Sequence, residues 1–495
     1  MASLTKIYNE QKLKGKVYTP EFIVKKILDD IGYNSIKIIG KTILDPACGD
    51  GRFLIAAAER IIKFSPIKHL KENLEKIFGW DIDKQAIDEC KEKLNKLIAD
   101  FDFQIKWNIT QCNSIEKLQI QNLFNQTETA KFDFIVGNPP YIRIQHLDET
   151  QRKYIQQNYI FCNNGSTDIY IAFFELCYNL LNNNGICGLI TPNTYFYTET
   201  AKKMRDNFAK HKCIKQITNF AEIQLFDNAT IYSAITIFDK QKHDNILYQH
   251  ATDKTIFKEK IFAIKELDNQ KFWQLSIEQL HNKNGKKLKD ICNIHVGITT
   301  LCDKAYIFTI EPINNKYVYA ITKFKGKVKI EKDILKPIVK GSTLKNSQEP
   351  IKEYILFPYQ KINGRHQILA ETILQNNYPL CYNYLLSVKE ELSKRDNGNP
   401  ISPWYAFGRT QSLDTSFGKK IVFSPMNKKP NFIFYENEEC TLYSGYFIKY
   451  NGDYSSLLDK LNSDEMRRFV EMSSRDFRGG WKAYNKKVIE EFVII

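Results

Sequence analysis

The 495-residue sequence lacks an apolar run long enough to cross a membrane. Its most apolar stretch, residues 169–181, is interrupted by Glu175, and its first residues have no apolar core of the kind that a signal peptide needs. Cys-x-x-Cys pairs are missing, and the 11 cysteines and 8 histidines are scattered. These absences argue against membrane, exported and disulfide-framework proteins and against a bound metal, and they predict a cytoplasmic protein.

The net charge of +14 is unevenly distributed along the chain. Residues 241–495 hold 40 of the 71 lysines and arginines but only 29 of the 57 acidic residues, so most of the excess lies in the second half. Basic surface is the usual footprint of a polyanion partner. A lysine-rich proteome would produce the same bias, and composition alone leaves both explanations open.

Residues 40–240 alternate short apolar runs with amphipathic stretches, which is the pattern of a doubly wound α/β domain. Strands are expected at 42–44, 77–82, 104–107, 134–137, 186–190, 214–219 and 234–238. Helices are expected at 51–63, 84–97, 169–181 and 198–210. No clear helix joins the last two strands, which indicates an antiparallel closing strand. We therefore predict a seven-stranded, mostly parallel sheet within residues 1–245.

The sequence pattern changes after about residue 245, where predicted strands and helices no longer alternate. Short runs of Tyr, Phe and Ile broken by Asn, Gly and Lys predict a separate, mixed α+β domain over residues 246–495. Two segments without glycine or proline, 382–394 and 455–470, are expected to be helical. The sequence 396–400, which reads DNGNP, is a loop signal directly after the first of them.

The motif Asn138-Pro139-Pro140-Tyr141 follows the apolar run 132–137, which is typical of a buried parallel strand. Two consecutive prolines fix φ and remove two N–H donors, so the chain leaves the strand extended. The Asn138 side-chain oxygen and the Pro139 carbonyl can accept both hydrogens of a planar exocyclic amine and localise its lone pair, while Tyr141 supplies a flat face for the ring. By itself the tetrapeptide is equally typical of a strand-to-loop turn.

A strand followed by a small-residue turn is predicted at 43–51, where the sequence reads ILDPACGDG. Glycines there let the backbone approach a ligand closely, and the following helix N-terminus favours an anionic group such as a carboxylate. The third glycine of a dinucleotide-binding turn is missing. Asp81, at the end of the second strand, can accept hydrogen bonds from both hydroxyls of a ribose. Either Asp81 or Asp83 is also a plausible helix cap.

In this order the motifs closely resemble those of the amino-group DNA methyltransferases of the adenine-N6 type. The matching subgroup, which includes type II restriction-modification methylases, has its cofactor motifs before Asn-Pro-Pro-Tyr and its target recognition domain last. Tyr18-Thr19-Pro20 and the helical stretch 21–30 match the family segment that binds the methionine part of S-adenosylmethionine. The resemblance covers the whole chain, most closely from about 15 to 240. It implies a Rossmann-like catalytic domain over 1–245, a DNA recognition domain over 246–495, and methylation of a flipped-out adenine in double-stranded DNA.

The resemblance also implies a cofactor role for particular residues. Tyr18 and Thr19 would contact the methionine end of the cofactor, and Asp81 would hold its ribose. The remaining assignments are Asp45, Ala47 and Gly49 for the methionine pocket, and Ile82 and Phe173 for the two faces of the cofactor adenine. The family usually has an Asp after the third strand, whereas this chain has Asn113, whose amide oxygen can still accept from the adenine amino group.

Catalysis is assigned by the resemblance to Asn138, Pro139 and Tyr141, through direct in-line transfer without a metal or a covalent base intermediate. The Pro-Cys nucleophile motif of cytosine-C5 enzymes is not evident in the sequence. The flipped base would stack on Tyr141 and on Phe226, with Phe220 as the alternative second ring. A purely structural role for Phe226 in the core stays open.

Candidate DNA-binding residues lie in the second half of the chain. Lysines recur at every second position in one segment, at Lys323, Lys325, Lys327 and Lys329. On a strand they would share one face, which would either contact successive DNA phosphates or simply face solvent. Arg409 is a candidate reader of a base edge. Arg475 and Arg478, beside a Gly-Gly-Trp sequence, are candidates for backbone contacts. The expected partner is double-stranded DNA, with a separate restriction endonuclease for the same site as a further candidate.

Other functions fit parts of the pattern. The same tetrapeptide occurs in protein-glutamine and RNA methyltransferases, but without both the Tyr18-Thr19-Pro20 element and a basic C-terminal domain. Methylation of cytosine N4 is chemically close, although Asn in place of Ser at 138 favours adenine. A DNA-binding subunit with a degenerate methylase fold is a non-enzymatic alternative. The cofactor segment begins at residue 15 and no nuclease motif is evident downstream, so methylation without cleavage is expected.

Overall fold

The computed structural model describes residues 18–116, 131–163, 165, 167–226, 231–268, 270–277, 285–474, 476–477 and 479–494. The chain divides into two compact units, Met1–Gln279 and Leu280–Ile495. The predicted boundary at 245 lies too early, because two further strands after that residue belong to the sheet of the first unit.

The first unit contains nine strands in its described residues: β1 (Ile43–Asp45), β2 (Ile77–Asp81), β3 (Asn108–Gln111), β4 (Phe132–Gly137), β5 (Leu181–Pro192), β6 (Ile214–Asn219), β7 (Ser233–Asp239), β8 (Asn245–Ala251) and β9 (Phe257–Ala263). Its α-helices are α1 (Glu21–Asp30), α2 (Arg52–Phe64), α3 (Ile67–Leu74), α4 (Lys84–Leu97), α5 (Glu149–Asn158), α6 (Tyr170–Leu180) and α7 (Lys202–His211). Short 3-10 helices lie at Ile36–Ile38, Ile144–His146, Ile160–Cys162, Asn193–Phe196, Glu199–Ala201 and Ile264–Glu266.

These strands form one mixed sheet in the order β3-β2-β1-β4-β5-β7-β6-β8-β9. The pairs β2/β3, β1/β2, β1/β4, β4/β5 and β6/β8 are parallel. Strand β7 is antiparallel to both β5 and β6, which confirms the predicted antiparallel closing strand. The sheet has nine strands, two more than the sequence predicts, because β8 and its antiparallel partner β9 extend it beyond β6.

Helices cover the sheet of the first unit on both faces. Successive residues of β1 enter different hydrophobic clusters: Ile43 packs with residues of α1, α2 and α4, whereas Leu44 packs with residues of α5, α6 and α7. This alternation follows from the period of two along a strand. Burial on both faces explains why the central strands are continuously apolar in sequence.

Strand β3 departs most from the sequence prediction, which places it at 104–107. Ile105 and Trp107 are buried, as a strand pattern requires, but pairing with β2 begins only at Asn108. Because β3 is the outermost strand, the apolar residues before it pack on the core without joining the sheet. The predicted helix ends agree with the structure more closely; α4, for example, spans the predicted 84–97.

The second unit is a mixed α and β unit. Its strands are β10 (Lys286–Lys287), β11 (Asn293–Val296), β12 (Ile307–Pro312), β13 (Tyr317–Thr322), β14 (Gly326–Glu331), β15 (Leu335–Lys340), β16 (Glu353–Leu356), β17 (Tyr359–Ile362), β18 (Arg365–Ile368), β19 (Lys420–Phe423), β20 (Met426–Asn427), β21 (Phe432–Tyr435), β22 (Thr441–Tyr443), β23 (Tyr446–Lys449), β24 (Asp476–Phe477), β25 (Trp481–Ala483) and β26 (Val493–Ile494). Its α-helices are α8 (Leu288–Ile291), α9 (Asp303–Tyr306), α10 (Glu371–Asn377), α11 (Pro379–Ser387), α12 (Lys389–Ser393), α13 (Tyr454–Leu461), α14 (Asp464–Ser473) and α15 (Lys486–Ile489), and a 3-10 helix spans Arg395–Gly398.

Two larger sheets organise this unit, one of six strands in the order β14-β13-β12-β16-β15-β22 and one of four in the order β11-β23-β19-β21. Each of the two helices predicted here is divided into two. The second of them breaks at Ser463, whose hydroxyl accepts a hydrogen bond from the Met466 N–H at 3.2 Å and caps α14. Among the described helices, none is both long and apolar enough to span a bilayer.

Candidate active site

The candidate active site lies at the carboxyl ends of β1, β2 and β4, which are adjacent parallel strands. Loops that follow parallel strands emerge at the same edge of a sheet, so Asp45, Asp81 and Asn138 are brought to one place. The last residue of β4 is packed against the first of these acids. A Cβ added at Gly137 would lie 2.8 Å from Asp45 Oδ1, so a larger residue there would collide with the carboxyl group.

The turn after β1 is held by side-chain oxygens of two aspartic acid residues. The N–H of Ala47 donates to Asp45 Oδ1 at 3.0 Å, and the N–H of Gly49 donates to Asp81 Oδ2 at 2.9 Å. The other Asp81 oxygen accepts from the N–H of Asp83 at 2.9 Å. Asp83 itself caps α4, accepting from Gln85 and Ala86. The helix-capping role that the sequence leaves open therefore belongs to Asp83, and Asp81 instead connects two loops of the site.

Asp45 is almost completely buried, at 2% exposed. Burial is the largest influence on its carboxyl group and raises its pKa to about 8, with the nearby Asp81 adding to the rise and the Ala47 N–H opposing it. The Asp45 side chain is therefore mostly protonated at neutral pH. A neutral carboxyl can donate as well as accept a hydrogen bond.

The surface around Asp81 fits an adenosine ligand. Gly49 has φ of 51° and a Cβ added there would meet no atom within 4 Å, so the backbone faces open space. Ile82 is 68% exposed and Tyr18 is 57% exposed, which is unusual for side chains of this size. An open backbone turn beside a carboxylate and an exposed apolar side chain is the surface that a ribose and an adenine ring require.

Asn113 and Phe173 are less well placed for the roles that the resemblance gives them. The Asn113 amide oxygen accepts from the N–H of Ile115 at 3.2 Å, and its nitrogen donates to Glu116 at 2.7 Å. Phe173 is only 4% exposed and belongs to the core cluster around α6, so little of its ring can face a cofactor in this state.

The side-chain amide of Asn138 is held on both sides. Its nitrogen donates to Thr19 Oγ1 at 3.0 Å, and its oxygen accepts from the Tyr141 hydroxyl. That hydroxyl also lies 3.4 Å from the carbonyl oxygen of Ile190 on β5. Tyr141 packs against both hydrophobic clusters of the unit, and burial raises its pKa well above the usual value, so the phenol stays protonated. The oxygen assigned to the target amine is thus engaged by Tyr141 here.

Tyr141 and Phe226 are neighbours, as the resemblance requires. Their ring centroids are 6.5 Å apart, with the planes inclined at 69°. Phe226 is 3% exposed and lies in the core, and the inclined rings leave no parallel slot between them. Phe220 packs against Phe257 on β9, with centroids 6.0 Å apart. Of the two candidate phenylalanines, the structure brings Phe226 to Tyr141.

Arg52 contributes to this site, although sequence reasoning missed it. Its guanidinium lies over the Tyr18 ring, 4.9 Å from the centroid, and donates to the backbone oxygen of Thr19 at 3.3 Å. Arg52 also lies 3.4 Å from the carboxylate of Asp50. An arginine directly after a Gly-x-Gly turn is the local signal, but Tyr18 and Thr19 lie more than thirty residues upstream, beyond the reach of spacing rules.

The predicted lysine face in the second unit is only partly formed. Lys327 and Lys329 lie on β14, which is an edge strand, and both are exposed. Lys325 lies in the turn before it, so the period-two pattern does not continue along one strand. Lys327 forms an exposed ion pair with Glu311 at 2.6 Å.

Arg409 is engaged within its own unit. Its two terminal nitrogens donate to Asp396 at 2.9 and 3.3 Å, in a paired arrangement that a base edge would have to displace. Asp396 has φ of 51° in the predicted 396–400 loop, and the residue before it, Arg395, is buried. Arg395 donates to the carbonyl oxygens of Leu392, Trp404 and Ala406. Arg475 and Arg478 lie outside the described residues.

The chain is similar to several known proteins. Residues 75–226 match the model of the Eco57I restriction-modification methylase family. The type II restriction enzyme and methyltransferase RM.Eco57I of Escherichia coli is 25% identical, over 80% of this chain and 48% of its own length. The type II methyltransferase M.BanIII of Aneurinibacillus aneurinilyticus is 26% identical, over 88% of this chain and 80% of its own. The chain thus spans about half of the first relative and most of the second.

A solved structure supports the fold. The type IIL restriction-modification enzyme MmeI, in complex with DNA, superposes with a TM-score of 0.63 over 95% of this chain and 65% of its own, at 14% identity. At this identity the likeness shows the fold alone. Together the matches confirm the resemblance to type II restriction-modification methylases. They also confirm the cofactor, since methyltransferases of this family use S-adenosylmethionine.

Proposed function

We propose that this chain is the DNA methyltransferase of a type II restriction-modification system, and that it methylates the exocyclic N6 of adenine in double-stranded DNA. The observation that carries the proposal is that Asn138 directly follows Gly137, which packs against Asp45 at the start of the open turn held by Asp81. A hydrogen-bond acceptor for an amine and a surface for adenosine therefore adjoin at one edge of the sheet.

The residues of the chain have distinct tasks in this reaction. Bound S-adenosylmethionine supplies an electrophilic methyl group. Asp81 and the Gly49 turn hold the ribose and the methionine part, while Ile82 covers one face of the cofactor adenine. The Asn138 side-chain oxygen and the Pro139 carbonyl accept the two hydrogens of the target amine. These hydrogen bonds localise the lone pair of the amine and direct it toward the methyl group for in-line transfer.

The target base enters by leaving the duplex, since its amino group cannot reach a protein pocket from inside the helix. Tyr141 and Phe226 then stack on the base. Their inclined arrangement implies that the rings rotate apart as the base arrives, and that the Tyr141 hydroxyl releases the Asn138 oxygen. Stacking contributes roughly 1–3 kcal/mol per base, which offsets much of the few kcal/mol that unstacking costs.

The second unit supplies DNA recognition in this proposal. Lys325 and Lys327 contact phosphates, and Arg409 contacts a base edge after leaving Asp396, with Arg475 and Arg478 as further backbone contacts. The substrate implies a cytoplasmic location, and a restriction endonuclease that cuts the same sequence is the natural partner. Incubation with unmethylated plasmid and Mg²⁺ tests this division of tasks, since discrete fragments would show that the chain also cleaves.

Transfer of labelled methyl groups to DNA tests the proposed reaction. We expect N6-methyladenine on nucleoside analysis and a single modified sequence by modification-sensitive sequencing. N4-methylcytosine as the product would support the closest alternative, and label in protein or RNA but not in DNA would overturn the proposal.

Asn138→Ala tests the site itself. The variant should lose methyl transfer by at least about a hundredfold, because removing an acceptor for developing charge typically has this effect. Its binding of S-adenosylmethionine, measured by calorimetry, should stay close to that of the wild type. If cofactor binding is lost together with transfer, Asn138 belongs to the cofactor pocket and the assignment is wrong.

A further inference from the structure

The segment before α1, residues 18–20, joins parts of the site that lie far apart in the sequence. Pro20 is the N-cap of α1. Thr19 is buried, and its hydroxyl lies 3.0 Å from the Asn138 side-chain nitrogen. The ring of Tyr18, in contrast, is 57% exposed. Burial in the core therefore does not fix this ring, and its position depends on contacts with neighbouring side chains.

Arg52 contacts two consecutive residues of this segment. Its guanidinium lies over the Tyr18 ring, 4.9 Å from the centroid, and its Nη1 donates to the backbone oxygen of Thr19 at 3.3 Å. A planar guanidinium can stack on an aromatic face and donate hydrogen bonds from its edge at the same time, which a compact ammonium group cannot do. One side chain therefore holds both a ring and a backbone carbonyl of the segment.

Asp50 connects Arg52 to the turn after β1. It lies between Gly49 and Gly51 in that turn, is 8% exposed, and its carboxylate is 3.4 Å from Arg52 Nε. Lys93 on α4 pairs with the same carboxylate at 2.7 Å. The acid is thus paired with two cations, of which Arg52 also contacts the segment before α1.

We propose that Arg52 is a positioning residue for the cofactor, which holds the segment before α1 against the turn after β1 and so shapes the pocket for the methionine part of S-adenosylmethionine. This inference rests on the proposed function, in which the methionine part binds at Tyr18, Thr19 and the Gly49 turn. The adenosine part is assigned instead to Asp81 and Ile82. Arg52 should therefore matter for ligands that carry the methionine part and not for ligands that lack it.

Arg52→Gln, tested with two ligands, separates this role from general damage to the site. S-adenosylhomocysteine carries the whole amino-acid part, whereas methylthioadenosine keeps the adenosine and the sulfur without it. The dissociation constant for S-adenosylhomocysteine, measured by calorimetry, should rise about tenfold, because a stacking contact and a hydrogen bond to the segment are lost. The constant for methylthioadenosine should stay within about twofold of the wild type. An equal rise for both ligands would overturn the inference.

Lys93→Gln is the matched control, because Lys93 pairs with the same carboxylate as Arg52 and is similarly exposed, at 42% of its side chain against 44%. The change removes one cation from Asp50 and keeps the contacts of Arg52 with the segment. Affinity for S-adenosylhomocysteine should stay within about twofold of the wild type. A loss equal to that of Arg52→Gln would mean that the charge pairing of Asp50 supports the cofactor, and the inference would fail.

A double variant distinguishes positioning from direct contact between Arg52 and the cofactor. Tyr18→Leu removes the ring on which the guanidinium stacks. Adding Arg52→Gln to Tyr18→Leu should weaken S-adenosylhomocysteine binding by no more than about threefold further, since both changes remove the same contact. A further loss of about tenfold in the double variant would show that Arg52 binds the cofactor independently of Tyr18, against the inference.

The kinetics of DNA methylation separate this inference from the proposed function. In Arg52→Gln the KM for S-adenosylmethionine should rise about tenfold, while kcat at saturating cofactor stays within about threefold of the wild type. If the wild type methylates DNA and Arg52→Gln matches it in cofactor affinity, the inference fails and the proposed function stands. If Arg52→Gln weakens cofactor binding as expected but the wild type transfers no methyl group to DNA, the proposed function fails and the role of Arg52 stands.

Discussion

At the scale of single residues, the buried carboxyl group of Asp45 makes folding sensitive to pH. Its pKa of about 8 in the folded chain lies far above the ordinary value of 3.8 for an aspartate side chain. Between these two values the folded state binds a proton that the unfolded state releases. The free energy of unfolding should therefore fall as pH rises from about 4 to 8, by up to about 1.4 kcal/mol per pH unit from this group.

Asp45→Asn should remove this contribution. The amide stays neutral at every pH and its oxygen can still accept from Ala47. Urea unfolding of the cofactor-free wild type and variant at pH 5, 6, 7 and 8 measures the difference. The variant should gain stability relative to the wild type as pH rises, and a constant difference across the range would show that Asp45 is ionised in the fold.

Two substitutions of Tyr141 can separate the contribution of ring stacking to methyl transfer from that of hydrogen bonding. Tyr141→Phe removes one hydrogen bond, worth about 0.5–1.5 kcal/mol, and leaves the ring, so methyl transfer should stay within about tenfold of the wild type. Tyr141→Ala also removes the stacking face and should reduce kcat/KM further. Steady-state kinetics on an unmethylated duplex compares the two. Equal losses in both variants would show that the hydroxyl, rather than the ring, serves the reaction.

The residues that sequence could assign are those embedded in short motifs. Asp45 and Asp81 each end a strand and Asn138 follows one, and the rule that parallel strands end at one edge is enough to bring them together. The contacts that fix their chemistry were out of reach, because Thr19 and Asn138 are 119 positions apart. The ion pair between Arg409 and Asp396 could not be predicted from the sequence either. It depends on the path of the chain between the two residues, which begins with a positive φ at Asp396.

At the scale of elements, the two glycines of the turn between β1 and α2 differ in the space around them. Gly49 and Gly51 both have positive φ, at 51° and 87°. A Cβ at Gly49 would meet nothing within 4 Å, whereas one at Gly51 would clash with Cys90 Sγ and lie 3.1 Å from Cys90 Cβ on α4. Only the second position therefore controls how closely the turn approaches a helix.

Alanine substitutions should separate the cost of backbone strain from the cost of overpacking. Gly49→Ala should lower the free energy of unfolding by about 1 kcal/mol, from backbone strain alone. Gly51→Ala adds overpacking against α4 and should lower it by about 3 kcal/mol. Urea unfolding followed by circular dichroism measures both. Equal effects would mean that α4 shifts freely and that the turn is not held by this contact.

Elements with local patterns were predicted well, and those defined by distant pairing were not. The amphipathic period places α4 within the correct residues, because a helix forms its hydrogen bonds locally. Strands β8 and β9 fall after the point where the βα alternation stops, so the sequence assigns them to the wrong unit. Only their pairing with β6 and with each other shows that they extend the first sheet.

At the scale of the whole molecule, the charge of the second half should set the salt dependence of DNA binding. Each phosphate contact contributes about 0.9 to the slope of log affinity against log salt concentration. Lys325→Gln should reduce this slope by about 0.9 on specific and nonspecific duplexes alike, as measured by fluorescence anisotropy. Lys96→Gln, at an exposed position of α4, is the control and should leave the slope unchanged. An unchanged slope for Lys325→Gln would remove it from the interface.

The pairing of β7 has a consequence for synthesis on the ribosome. Strand β6 is hydrogen-bonded to β7 and β8, both of which come later in the chain, and not to β5. As the polypeptide emerges from the ribosome, β6 has no strand to pair with until β7 has paired with β5. A nascent chain that is extended only as far as residues 219–233 would therefore expose the edge of β5 together with the unpaired strand β6. Because exposed strand edges promote aggregation, we expect a chaperone to bind the growing chain at this stage.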